Sequence, residues 1–308
     1  MDRQLDDVAE RGEPIAVLTA SEGSIYRRFG YGPATWWAEV ELPIEGAEVA
    51  RPSTAGGRMR NLSPDDWAKV VPPLFERLRH RYVGEMKATD AMWADWCDDP
   101  EWNRGGLTGR LVAVHENADG EADGYVSWRA KNRWDHSLPD SEVHLEDLYG
   151  ADDEVETALW QHLMAIDLVR RVKGARPVDE QLRWRLAEPR KLKVNHVGDH
   201  VWVRLVDVAA AFTARSYDVD DAVVIGVTDP FRPANDGAWR IGADVCGRSD
   251  GEPDVTLDVA DLGSLYLGGV TASQLARAGL VRERTPGALR RVDRLLSVPV
   301  APWCATHF

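Results

Sequence analysis

One segment constrains this chain more than any other: Ile15-Ala-Val-Leu-Thr-Ala-Ser-Glu-Gly-Ser-Ile-Tyr-Arg-Arg-Phe-Gly-Tyr-Gly-Pro-Ala-Thr35. Its apolar start, Ile15 to Leu18, reads as a short strand buried on both faces, the kind parallel sheets use. A polar turn follows, then one helical turn carrying Tyr26, and Gly30-Tyr31-Gly32-Pro33 stops it. That succession suits a hydroxyl held at the floor of a cleft. Upstream, residues 2–11 read as a helix with Leu5 and Val8 on one face, but without an N-cap or a preceding strand. A helix and one strand cannot bury a core. The first 45 residues are therefore expected to be the remnant of a larger α/β domain, leaving a sheet edge and apolar surface exposed.

The rest of the chain is ample for folded domains. Its 308 residues allow two or three cores, and 44% apolar with 29% charged residues is ordinary for a soluble protein. No apolar run approaches the roughly 18 residues of a membrane helix. The first residues carry neither the basic nor the apolar region of a signal peptide. Three widely spaced cysteines (Cys97, Cys246, Cys304) give no disulfide framework or metal pattern and suit a reducing cytoplasm. A net charge of −14 argues against nucleic acid and anionic membranes and favours cationic partners. Of the 13 tryptophans, Trp67, Trp93, Trp96 and Trp102 crowd one stretch and are expected in a core.

Residues 35–42 alternate as a strand, and residues 43–57 have the Gly, Pro, Ala and Glu content of a linker. Ser63-Pro64 opens a helix running to about Tyr82, which Pro72-Pro73 should kink or restart. Strands are expected at 110–115, 125–130 and 143–148, then a helix over 154–172 with Val155, Leu159, Leu163, Ile166 and Val169 at helical spacing. A third part, from about Leu192, reads as strand 201–206, helix 208–215, strands near 222–228, 238–245 and 255–259, and helices 271–278 and 286–296. The apolar tail, with Trp303 and Phe308, is expected to dock and so fix the position of the terminal carboxylate. The fold class is α/β (α+β).

Three features together, Ala20 to Thr35, Leu262-Gly-Ser-Leu-Tyr-Leu-Gly268 and an aromatic C-terminal residue, resemble the Eis (enhanced intracellular survival) family of acetyltransferases. The resemblance covers nearly the whole chain. It implies a remnant of an N-terminal GNAT domain at 1–45, a linker at 46–57, a central GNAT-like domain without cofactor at 58–190, and a sterol-carrier-protein-like domain at 191–308. It also implies hexamers and transfer of acetyl from acetyl-CoA to amines, aminoglycosides and lysine side chains included. By resemblance Tyr26 is the general acid that protonates the departing coenzyme A thiolate, a role suited to a phenol ionising near about 10. The α-carboxylate of Phe308 is the general base, and Thr19 and Ser21 line the cofactor arm. A His is common in the family where Thr19 stands, and His307 replaces an acidic penultimate residue of some members.

The residues alone support blander readings of the same positions. Without the resemblance Tyr26 is a loop or core aromatic beside Phe29 and Tyr31, and the Leu262 to Gly268 segment is a structural turn packing Tyr266. His136, His144, His162, His196 and His200 form no metal-like cluster. Only His196 and His200 are spaced i, i+4, across a Gly in a loop, and all five read as structural. No Gly-X-Ser-X-Gly, paired-carboxylate or P-loop signal is present, and no cysteine near the Tyr26 segment could carry an acyl group. Arg27-Arg-Phe-Gly-Tyr-Gly32 imitates a pyrophosphate-binding loop, but it precedes Pro33 and a strand instead of opening a helix.

The family's own pyrophosphate loop lies before a helix resembling residues 2–11. The first strands, that loop and much of the substrate pocket are therefore expected to be absent, through a misplaced start codon or as a genuine fragment without catalysis. The mid-helix start favours the misplaced codon. The alternative function is a non-catalytic scaffold or hydrophobic-ligand-binding protein built on the two complete domains.

Overall fold

The computed structural model describes residues 1–306. Helix α1 (Asp2–Glu10) leads to β1 (Ile15–Thr19), α2 (Gly23–Tyr26), β2 (Gly32–Pro33) and β3 (Trp36–Pro43). Next come β4 (Arg58–Asn61), α3 (Pro64–Leu78), α4 (Asp90–Asp98), β5 (Leu111–Glu116), β6 (Ala122–Lys131), β7 (Trp134–Asp135) and β8 (Leu138–Pro139). Then follow β9 (Ser141–Gly150), α5 (Asp153–Met164), β10 (Val169–Pro177), α6 (Leu182–Arg185), β11 (Lys193–Asp199) and β12 (Val201–Leu205). The last part holds α7 (Val208–Thr213), β13 (Ala222–Thr228), β14 (Gly237–Gly242), β15 (Gly247–Arg248), β16 (Val255–Asp258) and α8 (Val259–Tyr266). Helix α9 (Ala272–Arg277), β17 (Val281–Glu283) and α10 (Ala288–Leu296) complete it.

Two compact units result, one joining residues 1–36 to the chain from Asp199 onward, the other spanning Trp37–Gly198. These units cut across the segment boundaries expected at 45, 57 and 190, because the chain exchanges strands. β3 follows β2 directly yet joins the seven-stranded sheet β11-β3-β10-β9-β6-β5-β4. β12 follows β11 yet enters the three-stranded sheet β1-β12-β2. β1 is thus antiparallel to β12 and half-buried along its length, not a fully buried strand of a parallel sheet. Its outer edge carries no strand among the described residues. Residues 1–36 nevertheless have a core, in which Leu5, Val8 and Tyr31 bury with Trp202 and Val206.

Several elements form for reasons visible in their sequence. Ser63 caps α3 by accepting from the Asp66 N–H, with Pro64 at the first helical position. That helix continues through Pro72 and Pro73 as one element, without the restart that was one of the two expected outcomes. The expected helix over 154–172 ends at Met164, with Leu168 at φ 63°, and the β-branched Val169 and Val172 instead enter β10. β10 lies parallel to β9, so β9-α5-β10 is a crossover unit. The expected turn at Leu262 to Gly268 is mostly helix α8, every residue of which is buried. Among the clustered tryptophans only Trp67 is in the core, and Trp102 is 84% exposed.

Candidate active site

The first unit holds Thr19, Ser21 and Tyr26. The β1–β12 register runs from Ile15 opposite Leu205 to Thr19 opposite Val201, so Thr19 ends β1 where β12 begins. Thr19 is half-buried and Ser21 exposed. Tyr26, at the end of α2, is half-buried with its ring edge-on to Tyr31, centroids 6.3 Å apart. Its hydroxyl makes no hydrogen bond among the described residues. Tyr31 is buried, and burial pushes its phenol above the usual range, so it is a core residue.

The turn bearing Tyr26 is pinned from below. Gly30 takes the left-handed conformation (φ 84°) that closes the turn, its N–H bonded to the Arg27 carbonyl. Arg27 Nη2 donates to both carboxylate oxygens of Asp261 on α8, at 2.8 and 2.9 Å. Burial pushes the Asp261 carboxyl upward and Arg27 opposes that shift. Helix α8 in turn lies hard against β2 and β12. A Cβ on Gly32 would stand 1.9 Å from the Ala260 carbonyl oxygen, and one on Gly263 2.4 Å from that of Val203. The Tyr26 segment and the Leu262 to Gly268 segment are therefore two halves of one contact. It also removes the pyrophosphate imitation, since Gly32 is buried under α8 and Arg27 is committed to Asp261.

The chain's tail reaches the same end of the sheet. Pro302, Trp303, Cys304 and Thr306 are buried, as docking requires. His200 Nε2 lies 3.2 Å from the Thr306 carbonyl oxygen. The His200 N–H donates to the Thr35 carbonyl, and the Val201 N–H to Thr35 Oγ1. Val201 is also the partner of Thr19, so the last described residue of the tail and the end of β1 share one end of the sheet. Phe308, the expected base, lies outside the described residues. His200, read from sequence as structural and grouped with His196 across a loop, is the single residue between β11 and β12, whereas His196 sits on β11 against Trp37. Nothing in its spacing signalled a contact with the chain's other end.

In the second unit, β9 to α5 is the strand-to-helix turn that suits a pyrophosphate. There Asp152 accepts from the Glu154 and Val155 N–H groups, and Asp153 and Glu154 add negative charge. Beyond it Arg176, buried, donates to the Leu148 carbonyl and pairs with Glu156 and Glu180. Negative charge and occupied N–H donors thus stand at this turn. Clefts of about 460 and 390 Å³ lie in this unit, and neither touches Thr19, Ser21 or Tyr26.

The second unit also holds Asp147, whose carboxyl burial pushes up to about 6 while Ser127 Oγ donates to it at 3.0 Å. An unfolded Asp ionises near about 3.9, so the folded state binds the extra proton between those values. Stability contributed by this group therefore falls as pH rises through that interval and is lowest above it. Asp147→Asn is expected to raise the unfolding free energy at pH 7.5 by up to about 3 kcal/mol and to lose that advantage near pH 4. Urea titrations at both pH values check it, and an equal gain at both would refute the cause.

Comparison with known proteins gives the family of the chain. Residues 1–34 and 84–205 each match an acetyltransferase (GNAT) domain model, and residues 208–305 match a sterol carrier protein domain model. These matches define the class as a GNAT-type acetyltransferase with a sterol-carrier-like domain. The chain is 39% identical over its full length to an uncharacterized N-acetyltransferase of Streptomyces avermitilis, spanning 76% of that protein. N-acetyltransferase Eis of Mycobacterium tuberculosis is 29% identical over 98% of this chain and 73% of its own. The crystal structure of Eis1 from Mycobacterium abscessus has a TM-score of 0.86 at 35% identity, covering 100% of this chain and 76% of that one. The chain belongs to the Eis-like family of GNAT N-acetyltransferases. Among the described residues no helix is long and apolar enough to cross a membrane, and no group of His, Cys, Asp or Glu is placed to hold a metal.

Proposed function

We propose that this chain transfers acetyl from acetyl-CoA directly to the amine of a cationic substrate, an aminoglycoside or a lysine side chain. The observation that carries the reading is that the docked tail contacts His200, next to the Val201 that pairs with Thr19, on the sheet that also seats the Tyr26 turn. Acetyl-CoA supplies the acyl group as a thioester. The outer edge of β1, which pairs with no strand among the described residues, is the side offered to the amide-bearing arm of acetyl-CoA, with Thr19 and the exposed Ser21 on that strand and the turn after it.

The terminal carboxylate of Phe308 takes one proton from the substrate ammonium, freeing the nitrogen lone pair. Nitrogen attacks the acyl carbon, the C–S bond breaks, and the Tyr26 hydroxyl gives its proton to the departing sulfur. The second proton lost from nitrogen restores the phenol. Direct transfer is supported by the cysteines: Cys97 and Cys246 lie elsewhere, and Cys304, though in the tail, is buried with its thiol directed to the Thr306 carbonyl. The net charge of −14 supports cationic acceptors, and three free cysteines support a cytoplasmic setting. The hexamer of the resemblance belongs to the same reading and is checked by light scattering.

The test is thiol released from acetyl-CoA with kanamycin as the amine. Release that requires both substrates is expected. Silence from this chain, and from the same chain extended upstream in its reading frame, overturns the reading.

A further inference from the structure

We propose that His200 is a positioning residue for the reaction, anchoring the tail at Thr306, two residues before the C-terminal Phe308; this rests on the functional reading above. The Thr306 carbonyl oxygen receives two donors, His200 Nε2 at 3.2 Å and Cys304 Sγ at 3.5 Å. Sulfur is a weak donor, so the imidazole N–H is the stronger of the two. His200 must therefore carry its proton on Nε2.

The ring is well placed for the task because its own backbone is fixed. The His200 N–H is bonded to Thr35, and the next residue enters β12 between β1 and β2. A rigid strand end thus holds the peptide that immediately precedes His307 and Phe308. Further back, Trp303 is buried and Pro302 packs within 3.0 Å of where a Cβ on Gly269 would be. Those contacts dock the tail in general. The contact to Thr306 is the last one of the tail among the described residues. Misplacing a reacting group by about an ångström can cost a hundredfold in rate. A single lost hydrogen bond shifts a docked–open equilibrium by up to about tenfold.

The test compares wild type with His200→Ala and His200→Gln in the full chain, since the Gln amide can place an N–H near the imidazole Nε2 position. Carboxypeptidase A trimming, followed by mass spectrometry, reads tail docking without any acetyl transfer. Trimming should quicken about tenfold in His200→Ala and stay near wild type in His200→Gln. The Ala variant should also lose about tenfold or more in kcat, with the KM for acetyl-CoA little changed, and Gln should restore it. Equal trimming of Ala and wild type overturns the anchor, and accelerated trimming with unchanged kcat overturns its role in the reaction. Faster trimming in a chain that transfers no acetyl would support the anchor while counting against the functional reading.

Discussion

Tyr26→Phe is expected to lower kcat for acetyl transfer about 100- to 1,000-fold, the range a positioned general acid contributes. The substitution removes one oxygen and keeps the ring, so the edge-on contact with Tyr31 survives. No hydrogen bond among the described residues is lost with the hydroxyl. Stability should then change by less than about 0.5 kcal/mol, as for surface substitutions away from special features. The neighbouring phenol gives the control. Tyr31 is buried in the core beneath the turn, so Tyr31→Phe should leave the rate within a few-fold of wild type. Thiol release by both variants, paired with urea midpoints, separates chemistry from folding. A Tyr26→Phe enzyme as fast as wild type would remove Tyr26 from the chemical step.

Much of this arrangement was legible in the chain because local chemistry and tertiary outcome agree. Ser63 and Thr271 cap the helices their spacing announces, each accepting from the N–H three residues on. The strand expected at 222–228 is β13, bounded as read. What was not legible falls into two kinds. Helix α8 is buried on all sides, so it lacks the polar face by which a helix is recognised, and its Gly263 serves close approach to β12 instead of a turn. The run from Ile166 to Val172 keeps helical spacing by coincidence, while its place parallel to β9 depends on a partner distant in sequence. Strand exchange is the same problem at larger scale. Nothing in Trp202 or Val203 says that β12 will lie between β1 and β2, yet that pairing gives residues 1–36 a core. His200 follows from it, since a tail contact at Thr306 has meaning only once β12 is seated.

The strongest expected loss of stability comes from the ion pair beneath that seat. Arg204 on β12 and Asp229 are both fully buried, with Arg204 Nη2 donating to the two carboxylate oxygens at 2.9 and 2.8 Å. Asn235 Nδ2 donates to the same carboxylate and to the Leu205 and Val206 carbonyls, so the pair ties β12 to the loop after β13. Arg204 Nε has no hydrogen-bond partner and Nη1 donates to the neutral Leu205 carbonyl, so Asp229 is the counter-charge of the cation among the described residues. Asp229→Leu strands that charge in the interior and should cost about 3–5 kcal/mol. The double variant Arg204→Met with Asp229→Leu removes both charges and should recover most of the loss, because a buried pair is weakly favourable against apolar residues of similar size. The effect should reach the active site. A Cβ on Gly30, in the turn that carries Tyr26, would stand 2.7 Å from Arg204 Cζ, so the guanidinium forms the floor on which the turn rests. Asp229→Leu should therefore lose acetyl transfer together with stability, whereas the double variant should be stable while its turn rests on a thioether instead of a planar cation. Urea midpoints of the two single variants and the double variant give the coupling energy. A double variant no more stable than Asp229→Leu would show that the network around Asn235, and not the charge pair, holds β12 in place.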